Sequence, residues 1–320
     1  MLKYNFKPSH NLDQNYIVDD KVIEKVIDLL DIKKTDVILE VGPGTGFLTK
    51  QILLKAKQVI AIEKDKKMFE ILMQEFKSEI ENKKLLLINS DILKINFSDY
   101  KFNKIATFLP YSISLLFTEK ILDCNCLIVE IVQREFAEKL VSIPGFINYN
   151  AISVLAQSYY DIEIKKNVSK KCFFPVPAVD SSILVLKPNK KDFDKRYNDF
   201  VKGVFRYPNK DVSNALNLFS RDIKDKSISE KSKNIDEKIR DKKIRQLEIK
   251  DIEKIYSVIY WTLSNFSNSS FVGRYNLYFE TKRLFVIPPK AYFTSKSFLS
   301  AERTIPIGWL SSGPFSSSLK

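Results

Sequence analysis

Residues 35–56, TDVILEVGPGTGFLTKQILLKA, decide the fold. VILEV is a short apolar run bounded by turn residues, as a buried strand requires, and FLTKQILLKA continues with helical apolar spacing. Between them GPGTG, 42–46, gathers three of the chain's eight glycines. A strand that turns so sharply into a helix needs positive φ and a close approach of backbone to a ligand, which glycine allows without a Cβ penalty. Phe47 stands where the dinucleotide fingerprint places Gly or Ala, and no Gly-Lys-Ser/Thr follows. The turn therefore fits neither a nicotinamide dinucleotide nor a P-loop phosphate.

Working outward, the strand and helix signals alternate. The segment DDKVIEKVIDLL sets Val22, Ile23, Val26, Ile27 and Leu30 at helical spacing behind the Asp19 and Asp20 cap candidates. KQVIAIEKD gives a second strand, KKMFEILMQEF a second helix, and KKLLLINSDIL a third strand with an acidic turn. FNKIATFL and CNCLIVEIV follow as strands, then DIEIKKNVS and SSILVLKP after them. Alternation of this kind predicts a Rossmann-like α/β domain, a parallel sheet wound on both faces, over residues 1–187. Beyond Pro188 the pattern becomes charged and helical, with Tyr197, Val201, Val204 and Phe205 on one face, predicting a small all-helical domain over 188–267. Residues 268–320, rich in serine, proline and aromatics without a period, read as an atypical tail, either an extension or a disordered segment.

Composition narrows the chemistry. Lys and Arg outnumber Asp and Glu by 52 to 39, a formal charge of +13, which favours a polyanionic partner such as RNA. The one histidine, His10, lies in a polar N-terminal segment, and Ser-His-Asp triads, Cys-His pairs and multi-histidine metal centres are hard to build from one imidazole, so no metal is expected. Three cysteines without C-x-x-C spacing exclude a disulfide scaffold and a structural zinc site. No apolar run reaches membrane-spanning length and the N-terminus lacks a signal-peptide core, so a cytoplasmic location without membrane contact is expected.

Three consecutive strand ends carry the ligand signal. After the glycine turn, Glu63 ends the second strand, where a carboxylate accepts from ribose hydroxyls, and Asp91 ends the third, placed for an adenine edge. Taken singly, each is as readily a surface carboxylate; together they describe a site for an adenosyl ligand without phosphates.

With these motifs in order, the chain from about Leu12 to Phe266 resembles the ribosomal RNA adenine N6-dimethyltransferases, which use S-adenosylmethionine. LDQNYIVDD is similar to the family's N-terminal Gln-Asn motif, though Asp13 stands where Gly is usual. EVGPGTG resembles the cofactor loop, IEKD the ribose-binding strand end and SDIL the adenine-binding turn. FLPYSIS resembles the Asn-Leu-Pro-Tyr catalytic motif, QREFAEKLV the helix after it, FFPVPAVDSSILVL the Phe-x-Pro-x-Pro segment, and RYPNKDVSNAL a basic segment of the helical domain. The resemblance implies that Asn15, Ile17, Gly42, Glu63 and Asp91 contact the cofactor, with Gln14, Gly44 and Gly46 shaping its pocket. It also implies that Tyr111 and Phe173 sandwich the target adenine, a use of aromatic faces that suits a splayed-out base. The partner it implies is small-subunit ribosomal RNA within a pre-ribosomal particle, approached by a monomer whose basic helical domain touches RNA.

One position departs in the catalytic motif. In the family an Asn side chain and the Pro carbonyl accept both N6 hydrogens, so that hydrogen bonding and positioning do the work of a base. Here Phe108 replaces that Asn, ahead of Pro110 and Tyr111. Three readings stay open: the backbone carbonyls of Phe108 and Pro110 suffice, Thr107 supplies a hydroxyl after a register shift, or transfer is lost and the protein is a ribosome-assembly factor of the same fold.

Overall fold

The structure is a computed structural model and describes residues 15–189, 191–260 and the strands Asn276–Glu280 and Arg283–Ile287. The first strand, β1 (Tyr16–Ile17), precedes α1 (Asp20–Leu30). Five strands follow, all but β4 succeeded by an α-helix: β2 (Val37–Val41), α2 (Phe47–Lys55), β3 (Gln58–Glu63), α3 (Lys66–Glu75), α4 (Lys77–Glu81), β4 (Leu85–Asn89), β5 (Lys104–Phe108), α5 (Ser114–Ile121), β6 (Leu127–Gln133) and α6 (Arg134–Leu140). The sheet is completed by α7 (Ala151–Tyr159), β7 (Tyr160–Val168), the short β8 (Phe173–Phe174) and β9 (Ser181–Pro188). Helices α8 (Lys195–Val204), α9 (Val212–Asp222), α10 (Ser227–Lys231), α11 (Glu237–Arg240) and α12 (Ile249–Tyr260) make the all-helical part.

The seven-stranded sheet runs β4-β3-β2-β5-β6-β9-β7. Its order reverses between β2 and β5, which lie side by side in parallel register, Val41 opposite Thr107. A parted pair of loops at such a reversal leaves a crevice at the carboxyl ends of the strands. The parallel expectation fails for one strand: β9 pairs antiparallel with both β6 and β7, so β7 runs in the direction of the others. No α-helix intervenes between β7 and β9, only a 3-10 turn at Lys170–Cys172 and the short Phe173–Phe174 strand, and strands joined without a crossover must run in opposite directions.

Both sheet faces are covered. Ile38, Val59, Ala61, Ala106, Val129, Ile131, Ile183 and Val185 pack under the apolar stripe of α1, whose Val22, Ile23, Val26, Ile27 and Leu30 are all buried. Asp19 caps α1 by accepting from Lys21 N at 2.9 Å. At the opposite end of the strands, a buried ion pair joins Lys104 to Asp36 at 2.7 Å, and Asp36 also accepts from Asn103 Nδ2 and Lys33 N. Fully satisfied in this way, the pair fixes the starts of β2 and β5.

The chain from Met1 to Ile259 makes one compact unit. Tyr197 Oη bonds Ser158 Oγ at 3.1 Å, Tyr159 Oη donates to Asn198 at 2.7 Å, and Tyr149 Oη donates to the Leu247 carbonyl at 2.9 Å, tying α8 and the segment before α12 onto the sheet domain. Within the helical part, Tyr197, Val201, Val204 and Phe205 are buried as their spacing requires. Gly203 lets α8 and α9 approach so closely that a Cβ there would lie 2.1 Å from the Phe219 ring. Gly203→Ala gains about 1 kcal/mol of helix propensity but overpacks a ring already held against Phe200. We expect a net loss of about 2 kcal/mol, seen as a Tm lowered by roughly 4–8 °C, whereas an unchanged Tm would show that the helices part freely.

The tail forms a second unit, Tyr260–Lys320. Asn276–Glu280 and Arg283–Ile287 pair antiparallel there, Asn276 opposite Ile287, a hairpin the sequence reading passed over. The rest of that segment lies outside the described residues.

Candidate active site

A cleft of about 240 Å³ opens at the reversal of strand order. Asn15, Ile17, Gly42, Gly44, Glu63, Asp91, Phe108 and Pro110 all line it. Strand ends distant in sequence are thus brought to one wall. Gly42 and Gly44 take φ of +71° and +55°. A Cβ on Gly44 would sit 2.9 Å from the Tyr16 ring, so any larger residue there would both strain the turn and close the cleft.

Glu63 is 7% exposed and holds the loop as well as facing the cleft: its carboxylate accepts from Gly44 N at 3.2 Å and from Asp65 N at 2.8 Å. Burial raises its pKa above the ordinary carboxylate range despite these bonds. Asp91 behaves oppositely. Its hydrogen-bonded ion pair with Lys64, 2.9 Å away, lowers its pKa, and Leu93 N donates to it at 3.0 Å.

Sequence reasoning missed Glu40. This residue lies on β2, two positions before Gly42, and is 1% exposed on the inner wall of the cleft. Among the described residues neither carboxylate oxygen meets a well-formed hydrogen bond; the Thr49 hydroxyl nearby acts to lower its pKa, but burial outweighs this and raises the value to about 8. A charged residue inside an otherwise apolar strand, VILEV, was the available signal. Glu130 on β6 is a second buried carboxyl, 2% exposed and raised to about 7 by burial, but it does not line the cleft.

The sign of the Glu130 effect on stability follows. Between an unfolded value near 4.5 and the folded value of about 7, the folded chain holds a proton that the unfolded chain has released. Its contribution therefore falls as pH rises through that window, by about 1.4 kcal/mol per unit, and is constant above it. Glu130→Gln should match the parent near pH 4.5 and be the more stable protein at pH 8, as denaturant titrations at both pH values would show. Equal stability of the two at pH 8 would refute the assignment.

Four site expectations need correction or placement. Gly46 does not line the cleft: at φ +78° it begins α2, and a Cβ there would meet the Phe76 ring at 2.6 Å, so its smallness serves packing. Tyr111 also lies off the cleft lining and shares a 2.6 Å hydrogen bond with Ser181 Oγ. Phe173 is 1% exposed and stacks on Phe108, with centroids 5.0 Å apart and planes at 25°. The open pair of rings expected around a base is therefore closed on one side by Phe108. Gln14 lies outside the described residues.

Thr107 offers no acceptor to the cleft. It is 3% exposed, its hydroxyl donates to the Val41 carbonyl at 3.3 Å, and β5 keeps its register with β6 through Phe108 opposite Ile131. Among the described residues no cluster of His, Cys, Asp and Glu could hold a metal, and no helix is long and apolar enough to cross a membrane.

The fit of an adenosyl sulfonium ligand rests on two features: glycines whose missing side chains leave the cleft open, and the buried Glu40 carboxyl, held by no well-formed hydrogen bond among the described residues and suited to a cation. This fold and this cleft define an S-adenosylmethionine-dependent methyltransferase. The ribosomal RNA adenine dimethylase family matches the sequence over residues 5–257, and the chain belongs to that family. It is 38% identical over 217 residues to a probable ribosomal RNA small subunit methyltransferase A from Thermococcus sibiricus, covering 67% of this chain and 77% of the relative. A ribosomal RNA small subunit methyltransferase A from Clostridium botulinum is 34% identical over 232 residues, 69% of this chain and 83% of that one. Among solved structures, a dimethyladenosine transferase from Plasmodium falciparum superposes with a TM-score of 0.67 at 25% identity, covering 75% of this chain and 95% of that one.

Proposed function

We propose that the protein dimethylates N6 of adenines in small-subunit ribosomal RNA, acting as a cytoplasmic monomer on a pre-ribosomal particle. The observation that supports it best is the single cleft where Gly42, Glu63 and Asp91 meet Phe108 and Pro110. The target is taken from the names of the relatives, and the basic charge of the chain suits it.

Within this proposal Glu63 accepts from the ribose hydroxyls of S-adenosylmethionine, Asp91 from the adenine amine, and Glu40 faces its positive end. Asn15 and Ile17 close the cleft from the N-terminal side. The cofactor supplies an electrophilic methyl on sulfur. The chain's own task is to present N6, a poor nucleophile whose lone pair is delocalised into the ring. The backbone carbonyls of Phe108 and Pro110 accept its two hydrogens and favour a pyramidal nitrogen. No side-chain base is required, because the departing proton passes to water. Residues 1–187 would carry this chemistry and 188–267 the RNA contact.

The test is transfer of labelled methyl from S-adenosylmethionine to small-subunit particles lacking the modification, followed by nucleoside analysis. Label in N6,N6-dimethyladenosine supports the proposal. Label on another base, or only in large-subunit RNA, would refute it.

A further inference from the structure

Away from the cleft, α9, α10 and α11 surround a second pocket of about 320 Å³ lined by Ser213, Asn217, Ser229, Ser232, Lys233 and Arg240, with Glu230 also on its wall. Hydrogen-bond donors from four separate segments converge here. Ser213 and Asn217 share one face of α9, four residues apart. Lys233 comes from the turn after α10, and Arg240 ends α11. The side chains of Ser213, Asn217 and Lys233 make no hydrogen bond or ion pair with any described residue. Arg240 has only a loose contact with the exposed Glu237, at 3.6 Å. Ser232 is buried and donates to the Ser229 carbonyl at 2.7 Å, which fixes the turn that carries Lys233.

A solvated helix face explains a lone lysine, yet it does not explain two cations and two uncharged donors, none firmly engaged, turned into one concavity. A tetrahedral oxyanion accepts from all of them. The N-terminus of α9 adds little, since Asp211 already caps it. The same region continues into further basic side chains: backbone bonds from Val212 N to Lys242 O and from Ile244 N to Lys210 O, both 3.0 Å, lay the 242–244 segment against the start of α9.

We propose that this pocket binds a backbone phosphate of the RNA substrate and so fixes the register of the RNA on the helical part. This rests on the ribosomal RNA reading above. Contacts of this kind position a nucleic acid without reading its sequence.

The experiment uses the full chain and a small-subunit ribosomal RNA fragment, with dissociation constants measured across salt concentration. One variant carries Lys233→Gln and Arg240→Gln. A charge-matched control carries Lys77→Gln and Lys83→Gln, both exposed near β4 at the far edge of the sheet. The pocket variant should bind about tenfold more weakly and lose roughly 1–2 from the slope of log K against log salt, while the control keeps its slope. S-adenosylmethionine affinity should be unchanged in both. Equal effects in the two variants would reduce the pocket to net charge and overturn the proposal, as would an unaltered slope in the pocket variant. Perturbation of the Asn217 side-chain amide resonance by inorganic phosphate but not by RNA would assign the site to free phosphate instead. Failure of the parent protein to bind the RNA at all would sink the ribosomal RNA reading itself.

Discussion

Glu63→Ala is expected to weaken S-adenosylmethionine binding by about 10²–10³-fold. A carboxylate that accepts from two ribose hydroxyls in a buried site makes charge-assisted bonds of about 1.5–3 kcal/mol each, and each 1.4 kcal/mol is tenfold in affinity. Part of that loss is structural, because the same carboxylate receives Gly44 N and Asp65 N and so shapes the glycine turn. Glu63→Gln separates the two: its amide oxygen keeps one acceptor for the loop or the ligand, so about tenfold is expected. The pH dependence points the same way. Binding requires the ionised carboxylate, and burial raises the folded pKa, so affinity in the parent should begin to fall on the acid side at a higher pH than an ordinary glutamate would give. The Gln variant should lack that limb. Calorimetric titration across pH reads both effects, and an affinity within threefold of the parent for Glu63→Ala would remove Glu63 from the cofactor site.

The parts of this site that were legible in the sequence are those set by backbone demands. GPGTG between an apolar strand and a helix admits few conformations, so the turn, the flanking elements and the strand ends carrying Glu63 and Asp91 could be placed from pattern alone. What depends on non-local packing was not legible. Nothing local distinguishes Gly42, which borders the cleft, from Gly46, whose neighbour is Phe76 on α3's far end, some thirty positions along. The direction of β9 was hidden because its sequence reads the same in parallel and antiparallel pairs; only the missing helix after β7 decides it. Phe173 looked available to a base because its partner, Phe108, is 65 residues earlier in the chain. Glu40 was overlooked for the opposite reason: a single acid within an apolar strand was absorbed into the strand pattern, although a buried carboxyl with no well-formed hydrogen bond among the described residues is costly enough to point to a ligand.

Phe108→Asn should give a protein that is less stable and transfers methyl faster. The stability change follows from the stack on Phe173, worth about 0.5–1.5 kcal/mol beyond area, together with the apolar surface that the shorter side chain leaves unfilled. A loss of about 2 kcal/mol is expected from denaturant titration. The rate change follows from the acceptors. In the parent, the Phe108 ring brings none, and Thr107 is buried off the cleft lining, so the N6 hydrogens have only the carbonyls of residues 108 and 110. Removing one preorganised hydrogen-bonding partner from a developing charge costs about 10²–10³-fold in known cases, and restoring one to a site that already works through its backbone should return part of that, about 10–100-fold in single-turnover rate. Phe108→Leu is the companion variant, apolar like the parent but unable to stack. If the ring serves only to cover Phe173, Leu should leave the rate within about threefold while lowering stability. A Phe108→Asn protein slower than the parent, with Phe108→Leu slowed as well, would mean that the target base rests on the Phe108 ring itself, and the aromatic that faces the substrate would then be Phe108, with Phe173 as its support.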